Sequence, residues 1–181
     1  LFGAVDFYLT AKKHGVNPII GCNVHYAPEG KIIFSTPKPK GITQQSFEPK
    51  IFHLTLLCKN LKGYRNLCKM ITRAYETIPE PTKGGALAPR VCVDWDLLDQ
   101  FGDDLIVLSG GLKGELGYLA LQGEEQKTLD VCSRFKKRFK DDFYFELQDH
   151  GLPEQTRANE ALFDLSEKTK VLCVATNHCH Y

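Results

Sequence analysis

Leu105-Ile106-Val107-Leu108-Ser109-Gly110-Gly111 opens with an uninterrupted apolar run and closes on a serine and paired glycines. It reads as a strand that turns sharply at its carboxyl end. Glu115 to Leu121 and Glu124 to Lys140 follow with helical periodicity, the second placing Leu129, Cys132, Phe135 and Phe139 on one side. Phe143-Tyr144-Phe145-Glu146-Leu147 is then the next strand, so the stretch from 105 to 147 is a strand, helices and a strand in succession.

Outward from that unit the same alternation continues. Toward the carboxyl terminus, Pro153 to Lys168 reads as a helix and Val171 to Ala175 as a strand. Toward the amino terminus lie a short helix over Asp94 to Phe101, a strand over Ile51 to Cys58, and a strand over Pro18 to Tyr26 whose first apolar run suits burial on both faces. Leu61, Tyr64, Leu67, Cys68, Ile71 and Tyr75 mark a surface helix that carries Lys62, Arg65, Lys69 and Arg73 on its other side. Gly3 to His14 reads as an amphipathic helix with Ala4, Phe7, Tyr8 and Ala11 in phase, stopped by Gly15. Strands alternating with helices predict an α/β fold with parallel pairing through crossover connections. Proline-rich or glycine-rich segments at about 28–50 and 77–91 are expected to be irregular loops, with a hairpin around Lys31 to Phe34.

Composition bounds the rest. The 181 residues are 43% hydrophobic and 25% charged, ordinary for one globular domain with a sizeable core. No run approaches the roughly 18 apolar residues of a membrane helix, and no signal segment opens the chain, so a soluble, cytoplasmic protein without a membrane partner is expected. The 7 cysteines form no Cys-x-x-Cys pair and mostly sit in apolar segments, which argues for reduced thiols. A net charge of +1 gives no overall electrostatic footprint for nucleic acid.

In such folds ligand sites lie beyond the carboxyl ends of the strands. The polar residues there are Asn23 and His25, Ser109 to Gly111, Glu146 to His150, and Asn177 to His180. His178 and His180, spaced i, i+2 on an extended chain, face the same way. With His53 they offer three imidazoles, the usual protein contribution to a catalytic zinc. Ser109 to Gly114 fits neither the P-loop nor the dinucleotide fingerprint, so a tight turn is the expectation, and no nucleophilic elbow surrounds Ser109. Lys136-Lys137-Arg138 and Lys140 suit a solvated helix end. Glu146 is a candidate buried acid.

Several segments together resemble the polymerase-and-histidinol-phosphatase (PHP) domain of bacterial DNA polymerase III alpha subunits. They begin with Leu1-Phe2-Gly3-Ala4-Val5-Asp6-Phe7-Tyr8 and Pro18-Ile19-Ile20-Gly21-Cys22. His53-Leu54-Thr55-Leu56-Leu57, Asn60, Gly63-Tyr64 and Asn66-Leu67 follow, then Leu105 to Gly110 with Gly114-Glu115. Tyr144-Phe145-Glu146-Leu147, Ala175-Thr176-Asn177 and His180-Tyr181 complete the likeness. The resemblance implies a distorted seven-stranded β/α barrel whose strand ends hold up to three metal ions for phosphoester hydrolysis. It implies also that 1–181 is a single PHP domain fragment, a partial barrel lacking its N-terminal strand or strands.

Residue by residue, the resemblance implies a depleted site. The family's Gly-Cys-Glu-Val-Tyr is here Gly21-Cys22-Asn23-Val24-His25, its Leu-Ser-Gly-Cys is Leu108-Ser109-Gly110-Gly111, and its Asn-Asp-x-His-Tyr is Asn177-His178-Cys179-His180-Tyr181. His53 and His180 match family metal ligands and are expected to be vestigial, whereas His178 replaces a carboxylate and is the weaker candidate. Losing two carboxylates and a thiolate leaves too little negative charge for three dications. The expectation is therefore a scaffold with no catalytic or cofactor-binding residues in this segment and no metal held. Its partners would be the remainder of the alpha subunit, a proofreading exonuclease subunit, and DNA through the full polymerase, a nucleotidyltransferase. The alternatives are an active metal-dependent 3′-5′ exonuclease or phosphoesterase using zinc or another divalent metal, and a free-standing PHP phosphatase.

Overall fold

The computed structural model describes residues 3–30, 51–77 and 91–177. Most of the two expected loops, the hairpin expected near Lys31 to Phe34, and His178, Cys179 and His180 lie outside those residues. The strands are β1 (Gly21–Tyr26), β2 (Phe52–Cys58), β3 (Cys92–Val93), β4 (Leu105–Leu108), β5 (Phe143–Leu147) and β6 (Cys173–Ala175). The helices are α1 (Ala4–Lys13), α2 (Leu61–Glu76), α3 (Trp95–Phe101), α4 (Glu115–Leu121), α5 (Glu125–Phe139) and α6 (Pro153–Thr169).

The strands form one sheet in the order β3-β1-β2-β4-β5-β6. β1 pairs parallel with β3, and β4, β5 and β6 pair parallel in turn. β2 is antiparallel to both its neighbours, which corrects the expectation of parallel pairing throughout. The cause lies in the connection. A parallel return needs a crossover element, and residues 27 to 51 carry no helical periodicity, so the chain comes back antiparallel.

Alternation along β2 divides the sheet into two faces. Phe52, Leu54 and Leu56 are buried, while His53 and Thr55 between them are only partly covered. β1 does the same, burying Val24 and Tyr26 and leaving Asn23 exposed and His25 half-buried; the first apolar run, expected to be buried on both faces, lies ahead of β1, and its Ile19 is 65% exposed. The apolar face packs on Leu67 and Met70 of α2, Leu97 and Leu98 of α3, and Cys132, Phe135 and Phe139 of α5. Phe135 anchors this core, stacking on Phe143 at 5.0 Å between ring centroids and meeting Trp95 edge-on at 5.2 Å.

The helix boundaries follow local chemistry. Asn60 caps α2, its side-chain oxygen accepting from the amides of Lys62 at 2.8 Å and Gly63 at 3.0 Å. Asp94 caps α3 through the Leu97 amide at 2.9 Å. α6 opens on Pro153 at its first turn and buries Gln155, Ala158, Leu162 and Leu165. α1 forms where expected, but its stripe is not buried: Phe7 is 55% and Tyr8 44% exposed. No disulfide joins any of the 6 described cysteines.

Candidate functional site at the strand ends

Because β2 runs backwards, its amino end lies level with the carboxyl ends of β1, β4, β5 and β6. His53 thus reaches the rim where the other strands finish. It faces His25 in register across β1, the rings meeting edge to face with centroids 5.1 Å apart. On the same face Asn23 stands opposite Thr55. A cleft of about 170 Å³ opens here, lined by Asn23, His53, Gly110, Lys113, Glu146, Gln148, His150 and Gln155, with Leu112 and Leu152 as its apolar contacts.

Glu146 is 3% exposed and is the single carboxylate in that lining. A buried charge is tolerated only when its oxygens are satisfied. One oxygen accepts from the Thr55 hydroxyl at 3.1 Å and the Gly110 amide at 3.2 Å. The other accepts from the Thr176 hydroxyl at 2.6 Å and the Gln148 side-chain amide at 3.2 Å. Its own amide donates to the Ser109 hydroxyl at 2.9 Å. Four donors from β2, the turn after β4, the segment after β5 and the segment after β6 therefore converge on one side chain. Glu146 is committed to holding strand ends together and has little acceptor capacity left.

A second network fixes the cleft's far wall. The Gln155 side-chain oxygen accepts from the His150 amide at 2.8 Å, and its nitrogen meets His150 Nδ1 at 3.0 Å. Nδ1 accepts there, so Nε2 carries the hydrogen and donates to Asn177 Oδ1 at 3.0 Å. Asn159 donates to the Gln148 carbonyl at 3.0 Å, tying α6 to the same wall.

Two glycines shape the floor. Gly110 has φ +80°, and a Cβ there would lie 2.0 Å from the His53 carbonyl oxygen, so the turn passes directly beneath β2. Gly111 has φ +55°, and a Cβ there would come within 3.6 Å of Gln148 Oε1. Gln148 fills the space beside the position where a thiolate ligand was expected in the family pattern.

Of the sequence-derived site residues, the structure brings together His53, His25, Asn23, Gly110, Gly111, Glu146, Gln148 and His150, with Asn177 held through His150. His178 and His180 lie outside the described residues. Thr55, Thr176 and Gln155 escaped the sequence reading. Gln155 had a usable signal: it is a polar residue in phase with buried Ala158, Leu162 and Leu165. The described donors do not fit a trinuclear centre, since Glu146 is consumed, Asn23 is neutral and Gly111 has no side chain. Among the described residues no three His, Cys, Asp or Glu side chains converge to hold an ion. No described helix is long and apolar enough to cross a membrane.

A mostly parallel sheet flanked by helices, with a polar cleft at its strand ends, defines an α/β domain whose site is built from loops and strand termini. The chain belongs to the PHP domain family, whose profile matches residues 1–150. Over its whole length it is 36% identical to the DNA polymerase III subunit alpha of Deinococcus radiodurans, 34% to that of Aquifex aeolicus and 37% to that of Thermus aquaticus. It spans 13%, 15% and 14% of those relatives respectively.

Proposed function

We propose that the chain is the PHP portion of a DNA polymerase III alpha subunit, a DNA-directed DNA polymerase of DNA replication, and that this portion is a scaffold with a depleted metal site. The saturation of Glu146 by four neutral donors carries this reading. The described sheet is then the larger part of a distorted β/α barrel with its polar face turned inward. The scaffold supports the polymerase and presents a surface to a separate proofreading exonuclease subunit, inside the cell. Polymerisation belongs to the remainder of the subunit.

Metal analysis of the complete alpha subunit, with phosphodiester turnover on a 3′-labelled single strand and co-elution with the exonuclease subunit, tests this. The expected result is co-elution without stoichiometric metal and without turnover. Stoichiometric zinc together with turnover abolished by His180→Ala would overturn it.

One observation favours a second reading, a metal-dependent 3′-5′ exonuclease. His25 and His53 put paired imidazoles at the rim, 5.1 Å apart between centroids. In that reading His53, His178 and His180 would hold a single zinc, which would supply Lewis-acid activation of a phosphodiester. The same metal and turnover measurements decide between the two.

A further inference from the structure

The outer face of α2 has no part in the cleft, yet its charges are arranged in a distinctive way. Lys62, Arg65, Lys69 and Arg73 recur at intervals of three and four residues and are all exposed, forming a stripe about 16 Å long at 1.5 Å per residue. The helix carries no acid before Glu76. Lys62 meets Asp104 at 2.9 Å and Arg73 meets Glu76 at 2.7 Å, both cations remaining mostly solvent-exposed, at 71% and 63% of the side chain. Arg65 and Lys69, at the centre of the stripe, form no ion pair among the described residues.

α5 is also basic, but most of its cations are engaged. Lys127 pairs with Glu124, Arg134 lies over the Trp95 ring, Lys136 donates to the Thr169 carbonyl, and Arg138 bonds Asp99 and Asp103. Between these two basic helices it is α2 that presents a straight row, and the middle of that row is uncompensated among the described residues. Beside that row Leu61 is 63% and Tyr75 61% exposed.

We infer that this face of α2 is a contact surface for the phosphodiester backbone of DNA. The inference rests on the chain being part of a DNA polymerase subunit. Cations spaced along one helix face are the footprint of sequence-independent phosphate binding. A membrane surface is the poorer partner, because the apolar face an interfacial helix would insert is already spent on the core through Leu67, Met70 and Ala74. An acidic protein partner is the remaining rival.

The test measures binding of the complete alpha subunit to a fluorescein-labelled primer–template by anisotropy across a salt series, comparing wild type with Arg65→Gln/Lys69→Gln. The expected result is a slope of log affinity against log salt shallower by about 1 to 2, from the loss of two phosphate contacts. Affinity should fall several-fold and equally on unrelated sequences, while Arg65→Lys/Lys69→Arg retains it. Lys62→Gln/Arg73→Gln, whose cations are partly neutralised, should act in the same direction but more weakly. Unchanged slope and affinity in both glutamine variants would overturn the inference, as would weakened binding to poly-glutamate with DNA binding intact. Neither outcome depends on metal or turnover at the cleft, so failure here is distinguishable from failure of the scaffold reading.

Discussion

The Thr176 hydroxyl donates to Glu146 Oε1 at 2.6 Å, the shortest of the four bonds that gather the strand ends around one buried carboxylate. Thr176 follows β6 while Glu146 lies within β5, so this contact locks the last strand pair just beyond its ladder, where the Thr176 amide also donates to the Leu147 carbonyl at 2.9 Å.

Glu146→Gln keeps the shape but turns one acceptor into a donor facing donors. Hydrogen bonds to a charged group are worth about 1.5–3 kcal/mol each, and relief of burying the charge returns part of that. A net loss of about 1–3 kcal/mol is expected in urea unfolding, with Glu146→Ala losing more because the Gly110 amide is left unpaired. An unchanged urea midpoint for both variants would show that the network contributes nothing.

Gly110→Ala is expected to be among the most damaging small substitutions. Its Cβ would sit 2.0 Å from the His53 carbonyl oxygen at a backbone φ of +80°, where no flexible side chain can yield. A loss above about 3 kcal/mol is expected, with His53 displaced from His25. Thermal unfolding reads the first effect, and histidine NMR shifts read the second.

Glu115 makes stability fall with rising pH. Burial pushes its carboxyl from 4.5 up to about 7, Arg134 pulling the other way and Glu29 adding to the rise. The folded state therefore holds a proton that the unfolded chain has released, so the stabilisation is complete below about 4.5 and is lost as pH rises through about 7. The loss is at most about 3 kcal/mol, reduced by the solvent that reaches a partly buried group. Glu115→Gln should flatten urea midpoints between these pH values and be the more stable form at pH near 8; a slope that persists in the variant refutes the assignment.

Asn60→Ala removes the α2 cap and the 2.8 Å bond to Asp104. A cap of this kind is worth about 0.5–2 kcal/mol. The loss should appear at the foot of α2, as faster amide exchange at Lys62 and Gly63, with α6 unaffected.

The helices and most strands were legible in the sequence because each carries its own periodicity, and α2 and α3 also carry side-chain caps. The direction of β2 was not. An alternating strand reads the same both ways, and its orientation is set by the long connection before it. β3 escaped because two residues hold no period. At the site, His53 and the substitutions at Asn23 and Gly111 could be read from residue type and resemblance. The commitment of Glu146 could not, since Thr55, Gln148 and Thr176 approach it only after the strands have paired.

The reversal of β2 also divides labour between the two rims of the sheet. On one rim the chain leaves β2 through Lys59 and Asn60, bolted down by Lys59 to Asp142 at 2.7 Å and Asn60 to Asp104 at 2.8 Å, with Gly63 too close to the Asp104 carbonyl to accept a side chain. On the other rim the chain enters β2 directly beside the cleft. The cleft-side end of β2 is positioned by its ladder to β1 and by the Thr55 hydroxyl on Glu146, so loosening the ion pairs of the fastened rim leaves the contacts that shape the cleft in place.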